Sequence, residues 1–499
     1  MKAILILLDS VNRRFLECYG NTWVQTPNLS RLASRSTVFE RHFVGSAPCM
    51  PARHDILTGR LEFLEHNWCG IQPYDYTLPQ ALRALGTYSH METDHYHYFH
   101  VGGENYPFLF DSWGFTRGQE HDVLVPRLGR LPDRPHYGCF HSQYDLNRAR
   151  FLEEADYPTP HTMRQAAEFV SRYHEEDNWF LFVDGFDPHE PFDVPGGFSP
   201  GYQDDYEDKL FYWPQYAGTE GLPQHAVSHI RKQYAKTLSM ADRWLGKILD
   251  QMDKYCLWDD TMVIFTTDHG FLLGERELLG KNYMPAYNEV YHIPLIIHMP
   301  GQNIRKQSQV LSQNIDLFPT ILEFFGGNAA SCPDKLHGRS LLAAAKGDEA
   351  PLRDAAIYGM FGRQVNVTDG QYTYFRSAVR ADNTPISIYT AMPTTINHYW
   401  DREHVRDVGK IEMGHFLTWT DYPVFRIPGT LTNLSDPSHR FDVRYEIVAQ
   451  NMLFDLQTDE RQMVNLCGTA EESRMAALLR KAMSDHDSPD EQYERLGLL

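Results

Sequence analysis

Residues 2–9 read Lys2-Ala3-Ile4-Leu5-Ile6-Leu7-Leu8-Asp9, an apolar run that stops abruptly at a carboxylate. A short run that is apolar at every position is typical of a strand buried on both faces of a parallel sheet. The run is also too short for the core of a signal peptide, so we expect no targeting segment here. It therefore predicts the first strand of an α/β fold.

Two later runs have the same form. Trp179-Phe180-Leu181-Phe182-Val183 ends at Asp184, and Thr261-Met262-Val263-Ile264-Phe265-Thr266-Thr267 ends at Asp268. Helical periodicity precedes each of them. Ligands bind at the carboxyl ends of the strands in an open parallel sheet, so three acids at these positions indicate a functional edge. For any single one of them, capping of the following turn is the alternative.

Composition limits the classes of partner. The chain has 499 residues, 42% of them hydrophobic, and a formal net charge of −20. Nucleic acids and anionic membranes require a basic face, so we expect neither as a partner. No stretch approaches the roughly 20 apolar residues of a membrane span. The seven cysteines are scattered without metal-type pairs, which suits a reducing compartment, and we expect a cytoplasmic protein.

The densest chemical signal is S-A-P-C-M-P-A-R-H-D-I-L-T-G-R, residues 46–60. Pro51 suits the first turn of a helix, which places Cys49 at the helix N-terminus. Free backbone N–H groups and the helix dipole favour an anion there. Arg53 follows one turn later and is predicted to point to the same place. A buried structural cysteine is the alternative, but it does not explain the proline and the arginine together.

This segment resembles the signature of the formylglycine-dependent (type I) sulfatases of the alkaline-phosphatase superfamily, C-x-P-[SA]-R followed by T-G. Cys49, Pro51, Ala52 and Arg53 match it, as do Thr58-Gly59. The resemblance implies an α/β/α sandwich with a large mixed sheet and a smaller C-terminal α+β subdomain with an antiparallel sheet. We place the catalytic domain at residues 1–345 and the subdomain at 346–499.

The resemblance also implies one divalent cation. Asp9, Asp268 and His269 would be its ligands, together with formylglycine derived from Cys49. The common family pattern is Asp-Asp at the first strand, whereas this chain has Asp9-Ser10, and Ser10 would be a weaker, neutral ligand of the cation. The phosphonate monoester hydrolases of the superfamily also lack the second acid. Calcium is the usual family ion, and the imidazole with the neutral Ser10 favours magnesium or manganese.

Further site residues follow from the same resemblance. His189 lies in a segment like D-P-H-x-P and is the candidate proton donor, with Lys281 as the other candidate. Many sulfatases carry a lysine and a histidine at the position of Thr93–His97, and this chain lacks that lysine. Thr93 would replace it, as in phosphonate hydrolases, and His95 or His97 would contact the sulfate. An aromatic wall is the alternative for this cluster.

The implied reaction is hydrolysis of a sulfate ester by hydrated formylglycine, a geminal diol, while the cation and Arg53 hold the developing negative charge. The predicted substrate is a small anionic ester, a sulfated carbohydrate or an aryl sulfate. A formylglycine-generating enzyme would be a partner, and a homo-oligomer stays open. The alternatives are a phosphonate monoester or phosphodiester hydrolase on the same scaffold, and a catalytically silent binding protein with an intact thiol.

One region has no counterpart in the resemblance. Residues 386–443 read as a long irregular insertion rich in aromatic residues and histidine. Aromatic side chains stack on sugar rings, so the insertion is a candidate roof for the pocket. A contact between subunits explains the same composition equally well.

Overall fold

The computed structural model describes residues 1–129, 133–432 and 450–499. An eight-stranded sheet forms the centre of the larger part. Its strands are, in spatial order, Lys306–Ser308, Thr37–Phe39, Leu295–His298, Thr261–Thr267, Lys2–Leu8, Trp179–Gly185, Tyr88–Thr93 and Ser112–Phe115. Leu295–His298 is antiparallel to both neighbours, and the other described pairings are parallel. The sheet is therefore large and mixed, as expected.

The sheet register brings the acidic strand ends to one edge. Leu8 pairs with Gly185 on one side and with Thr267 on the other. Asp9 and Asp268 each follow directly after these paired residues, and Asp184 pairs with Leu7. The predicted meeting of the three acids at one edge follows from this register.

Helices cover both faces of the sheet. Alternate residues of the first strand point to opposite faces, with Ile4 and Ile6 in one hydrophobic core and Leu5 and Leu7 in another. The helices packed on the first face are Pro27–Ala33, Pro158–Arg172 and Gln224–Lys254. The helices on the second face are Cys49–Thr58, Leu78–Ala84 and Leu317–Phe324. This arrangement is an α/β/α sandwich.

A second, antiparallel sheet begins at Ala356, after the short helix Leu342–Ala345. Its strands are, in order, Ala356–Gly359, Val365–Thr368, Tyr372–Arg376 and Met452–Asp455. Helix Ala470–Asp485 packs on it through Met475 and Leu479, and helix Asp490–Leu496 follows. The expected smaller α+β subdomain is present, while the boundary at residue 345 stays a prediction.

The insertion contains regular structure. Ser387–Thr390, Val424–Pro428 and Glu412–Gly414 form a three-stranded antiparallel sheet, in that spatial order. The interpretation of residues 386–443 as irregular is therefore wrong for this part, and residues 433–443 lie outside the described residues. The remaining short strands and helices are Ala217–Gly218, Leu272–Leu273, Leu278–Gly280, His42–Phe43, Ser312–Gln313, Ser142–Arg148 and Asn288–Tyr291. A search of the described helices finds none with the length and apolar character needed to cross a bilayer.

Candidate active site

Cys49 is the first residue of the buried helix Cys49–Thr58. Cys49 is 2% exposed, and its side chain faces an imidazole nitrogen and an ammonium nitrogen. Sγ lies 3.2 Å from His269 Nε2 and 3.5 Å from Lys281 Nζ. The predicted nucleophile therefore sits at the start of a helix, where the backbone favours negative charge. Burial is the largest effect on the Cys49 thiol and raises its pKa well above the ordinary value.

Arg53 lies one turn later and contacts all three strand-end acids. Its Nε and Nη2 donate to the two oxygens of Asp184 at 3.0 and 2.8 Å. Its Nη1 donates to Asp268 Oδ2 at 2.6 Å and lies 3.2 Å from Asp9 Oδ2. Burial alone would lower the pKa of Arg53, but the carboxylates, Asp184 most, raise it well above its usual value. Arg53 is a fixed buried cation at the strand ends.

The donor set of the site fits a divalent cation. The ligating atoms of Asp9, Cys49, Asp268 and His269 all lie within 4.8 Å of one another. Asp9 Oδ2 is buried without a hydrogen-bond partner among the described residues. His269 Nδ1 is 2.9 Å from the Gly270 carbonyl, which only accepts, so the proton is on Nδ1 and the lone pair of Nε2 faces the cluster. The predicted ligands are thus brought together.

The two carboxylates of this cluster are electrostatically unequal. Burial disfavours the charge of Asp9, but Lys281, His189 and Arg53 outweigh it and hold its pKa well below the ordinary value. Burial and the neighbouring Asp9 raise the pKa of Asp268 well above its usual range. Two carboxylates this close titrate as a pair, and a bound divalent cation would favour the form in which both are ionised.

Ser10 is close to the cluster but its hydroxyl is engaged. It has a left-handed backbone, with φ of 65°. Its Oγ donates to Asp9 Oδ1 at 2.7 Å and accepts from Lys281 Nζ at 3.2 Å. Its backbone N–H donates to Asp268 Oδ1 at 2.9 Å. The geometry orients both acids, and direct coordination by Ser10 stays a prediction.

His189 lines a pocket that opens above Cys49. Its Nδ1 donates to the Glu190 carbonyl at 2.6 Å, which leaves Nε2 as the free nitrogen. Burial and the charge of Lys281 lower the pKa of His189 well below its usual value. Burial raises the pKa of Glu190 to about 7 and that of Glu120 well above its ordinary range. An anionic substrate would favour protonation of His189 in this setting.

Thr93 and His95 occupy the end of strand Tyr88–Thr93. His95 is fully buried, and its Nε2 lies 3.4 Å from Asp9 Oδ2. The Thr93 hydroxyl accepts the backbone N–H of His95 at 2.9 Å. His97 lies in the pocket wall instead. His95 therefore lies beside the Asp9 carboxylate, and the Thr93 hydroxyl holds the backbone of the turn that carries His95.

The pocket has a volume of about 540 Å³. Most of its wall was not predicted from the sequence. The wall consists of aromatic, imidazole and carboxylic side chains, among them Trp68, Tyr96, His100, Glu120, His121, Trp213 and Tyr216. Asn397 lines it from the insertion. The indole of Trp419 in the insertion instead covers Arg60 at 3.8 Å and donates to Glu65 at 2.7 Å. The tryptophans of the pocket wall are therefore Trp68 and Trp213, which lie outside the insertion that was expected to roof the pocket.

The residues that hold Arg53 were given no role from the sequence. Asp184 was recognised with Asp9 and Asp268 as a carboxylate at the end of a buried strand, but its pairing with Arg53 was not predicted. Tyr98 Oη donates to Asp184 Oδ2 at 2.7 Å, and nothing in its local sequence marks it.

The family described as Sulfatase matches residues 2–327. The chain belongs to the sulfatase family. Among its relatives, the multifunctional alkaline phosphatase superfamily protein PehA of Trinickia caryophylli is 28% identical over 412 residues, covering 69% of this chain and 76% of that protein. The choline-sulfatase of Rhizobium meliloti is 23% identical over 410 residues, covering 75% and 78%. The family and these sulfatase relatives make this chain a sulfuric ester hydrolase.

Solved structures show the same fold. The phosphonate monoester hydrolase of Agrobacterium radiobacter has a TM-score of 0.65 at 18% identity, with 97% of this chain and 96% of that one covered. A protein solved with its substrate D-glucosamine-2-N,6-O-disulfate has a TM-score of 0.64 at 17% identity, with 98% of both chains covered. The alkaline-phosphatase-like fold expected from the sequence is thereby confirmed for this sulfatase.

Proposed function

We propose that this sulfatase hydrolyses the sulfate ester of a small sulfated carbohydrate or of an aryl alcohol, with formylglycine at residue 49 as its nucleophile. The observation that carries the proposal is the position of Cys49 Sγ at the base of the pocket, 3.5 Å from Lys281 Nζ and 3.2 Å from His269 Nε2. When hydrated, an aldehyde at this position supplies one hydroxyl for attack on sulfur and a second whose deprotonation allows sulfate to leave.

A divalent cation would be held by Asp9, Asp268, His269 and residue 49. When bound, it supplies Lewis-acid stabilisation of the negative charge that develops on the ester oxygens. Arg53 adds a second fixed positive charge, and its position is set by Asp184. The thiolate-free donor set of the modified site suits calcium, magnesium or manganese.

Lys281 and His189 would handle protons and charge above the nucleophile. Burial alone would lower the pKa of Lys281, but Cys49 and the carboxyl groups of Glu190, Asp9 and Asp268 raise it. Its Nζ faces Cys49 and is placed to stabilise an attacking oxygen. The free Nε2 of His189 would carry the proton for the leaving alcohol once an anionic ester is bound.

The pocket wall supports a sugar as the alcohol. Trp68 and Trp213 offer apolar faces for stacking on a sugar ring, while Glu120 and His97 offer hydrogen bonds to hydroxyl groups. A volume of about 540 Å³ suits a mono- or disaccharide sulfate rather than a polymer. A screen of sulfated mono- and disaccharides, read out as released sulfate, tests the proposal. Sulfate release from none of them, nor from 4-nitrophenyl sulfate, would overturn it.

A second candidate is a phosphonate monoester or phosphodiester hydrolase. Ser10 favours it, since a neutral hydroxyl stands where a second acid is usual and is engaged with Asp9 and Lys281. A comparison of kcat/KM on 4-nitrophenyl sulfate and on a phenyl phosphonate monoester separates the two. Dominant phosphonate turnover would replace the first proposal with the second. A silent binding protein would turn over neither substrate.

A further inference from the structure

A second cluster of metal-binding side chains lies beside the catalytic helix and shares no residue with the catalytic cluster. His54, Glu62 and Cys69 are all buried, and their ligating atoms lie within 4.8 Å of one another. His54 directly follows Arg53 on the helix, and the other two lie in the segment that comes after the helix. None of the catalytic steps described above uses these three residues.

Two separations within the cluster, measured to the two oxygens of Glu62, match those between ligands around a zinc ion. His54 Nδ1 is 3.6 Å from Glu62 Oε2, and Cys69 Sγ is 3.4 Å from Glu62 Oε1. Tetrahedral zinc with its usual nitrogen, oxygen and sulfur bond lengths separates neighbouring ligand atoms by about 3.3–3.8 Å. His66 Nδ1 lies 3.0 Å from Cys69 Sγ and 3.3 Å from Glu62 Oε1. His66 lies outside the group whose ligating atoms are all within 4.8 Å of one another, so its ring would have to shift toward His54 to serve as a fourth ligand.

Two buried atoms of the cluster have no hydrogen-bond partner among the described residues. They are His54 Nδ1 and Glu62 Oε2, and they face each other. A buried polar atom without a partner destabilises a fold, so such atoms require an explanation. A metal ion between them satisfies both at once.

The other ring nitrogen of His54, Nε2, is hydrogen-bonded to Asp75. Asp75 Oδ2 lies 2.8 Å from His54 Nε2 and fixes the proton there. Nδ1 is then the nitrogen that presents a lone pair to Glu62 and Cys69. This carboxylate–imidazole arrangement is the usual support of a metal-ligating histidine. A protonated His54 between Asp75 and Glu62 is the metal-free alternative, and it leaves a gap of 3.6 Å at Nδ1.

We propose that this sulfatase binds a structural zinc ion through His54, Glu62 and Cys69, with His66 completing the fourth position after a shift of its ring. Binding deprotonates the Cys69 thiol and releases its proton to solvent. Thiolate and imidazole ligands select zinc over the hard cations that suit a carboxylate site. The two metal sites therefore differ in the ion they take.

The zinc would fix a segment that forms part of the substrate pocket. Trp68 lies next to Cys69 and lines that pocket. The same segment anchors the insertion, since the Trp68 carbonyl accepts the Ile396 N–H at 2.7 Å and the Glu65 carbonyl accepts the Tyr389 N–H at 3.0 Å. A zinc ion at the cluster would tie this segment to the helix that carries Cys49 and Arg53.

Zinc content and X-ray absorption test the site. The protein is purified as Cys49→Ser, which removes the thiol of the catalytic cluster, and is compared with the same protein carrying Cys69→Ser or Cys18→Ser. Cys18 is also a buried cysteine, and it belongs to a hydrophobic core that does not include Cys69. We expect one zinc per chain in the parent and in Cys18→Ser, and at least a tenfold lower content in Cys69→Ser. Equal zinc content in all three proteins would overturn the proposal. The absence of bound zinc from the Cys49→Ser parent after growth with zinc would also overturn it.

A second measurement needs no substitution at the cluster and so does not depend on the folding of Cys69→Ser. The zinc-edge spectrum of the Cys49→Ser protein should contain a sulfur neighbour at about 2.3 Å. A coordination shell of nitrogen and oxygen alone would contradict the assignment. Because neither readout uses turnover, failure of the proposed catalytic function would leave both results interpretable.

Discussion

Arg53 and Asp184 form a buried, bidentate ion pair, with N–O distances of 3.0 and 2.8 Å. The pair joins the helix that begins at Cys49 to the end of strand Trp179–Gly185. Two guanidinium nitrogens are engaged by Asp184, so the third, Nη1, is directed to Asp268 and Asp9. The orientation of the cation beside the nucleophile is thus set by a carboxylate that does not belong to the predicted metal ligands.

Asp184→Asn tests this orienting role. The substitution keeps the side-chain volume but removes the charge opposite Arg53, and breaking a buried ion pair in this way costs about 3–5 kcal/mol of unfolding free energy. We expect kcat/KM for 4-nitrophenyl sulfate to fall on the order of 100-fold, because the cation loses its fixed position. The control is Asp242→Asn, a buried carboxylate that accepts the N–H groups of Asn28 and Leu29. It should lower Tm and leave kcat/KM near the parent value, and parent activity in Asp184→Asn would refute the orienting role.

Lys281→Met tests the charge above the nucleophile. We expect kcat to fall roughly 100-fold, because Nζ is placed to stabilise the attacking oxygen. Lys281 is also the largest charge effect that lowers the pKa of Asp9. Its removal raises the pKa of Asp9, so Asp9 becomes protonated at a higher pH. The acidic limb of the kcat/KM profile should therefore shift to higher pH. The exposed Lys254→Met is the control, and an unmoved acidic limb in Lys281→Met would argue against this coupling.

His189→Gln tests the proton donor. An alkyl alcohol leaves poorly without a proton, whereas 4-nitrophenolate leaves readily. We therefore expect roughly a 100-fold or larger loss of kcat on an alkyl sulfate and a much smaller loss on 4-nitrophenyl sulfate. Because the pKa of His189 is held below its usual value, the protonated form is lost as pH rises, and alkyl sulfate turnover should decline with it. His225→Gln, at an exposed histidine, is the control. Equal losses on both substrates in His189→Gln would exclude a donor role.

Ser10→Asp tests the departure from the common Asp-Asp pattern. The left-handed backbone at Ser10 tolerates aspartate, and a third carboxylate at the cluster adds charge for a hard cation. We expect calcium affinity, measured by titration of the chelator-treated protein, to rise about tenfold relative to magnesium. Ser10→Ala, which keeps the position neutral, should show no such rise. An unchanged calcium preference in Ser10→Asp would mean that residue 10 does not face the cation.

The sequence predicted the parts of the fold that local pattern determines. The strands Lys2–Leu8, Trp179–Gly185 and Thr261–Thr267 are buried on both faces, and such strands read as continuous apolar runs. The strand Val365–Thr368 was missed because it has only four residues, although they alternate between apolar and polar types and the turn residues Asp369-Gly370 follow them. The strands of the insertion are as short, and their pairing across intervening loops cannot be read from local pattern.

In the candidate site, too, residues in local motifs could be predicted, while residues brought together by tertiary packing could not. Cys49, Arg53 and the acids at positions 9 and 268 lie in recognisable local motifs, so the sequence could name them. The pairing of Arg53 with Asp184 spans 131 residues and depends on how a helix packs on the sheet. The pocket wall at Trp68 and Trp213 belongs to segments without a motif, so its members emerge only from the tertiary structure.

The identity of residue 49 tests the central claim most directly. The sulfatase is produced with and without a formylglycine-generating enzyme, and the peptide that contains residue 49 is analysed by mass spectrometry beside the rate of 4-nitrophenyl sulfate hydrolysis. We predict that sulfur is lost and an aldehyde gained at residue 49, and that kcat per chain rises in proportion to the converted fraction. Full hydrolytic activity from chains with an intact Cys49 thiol would contradict the account.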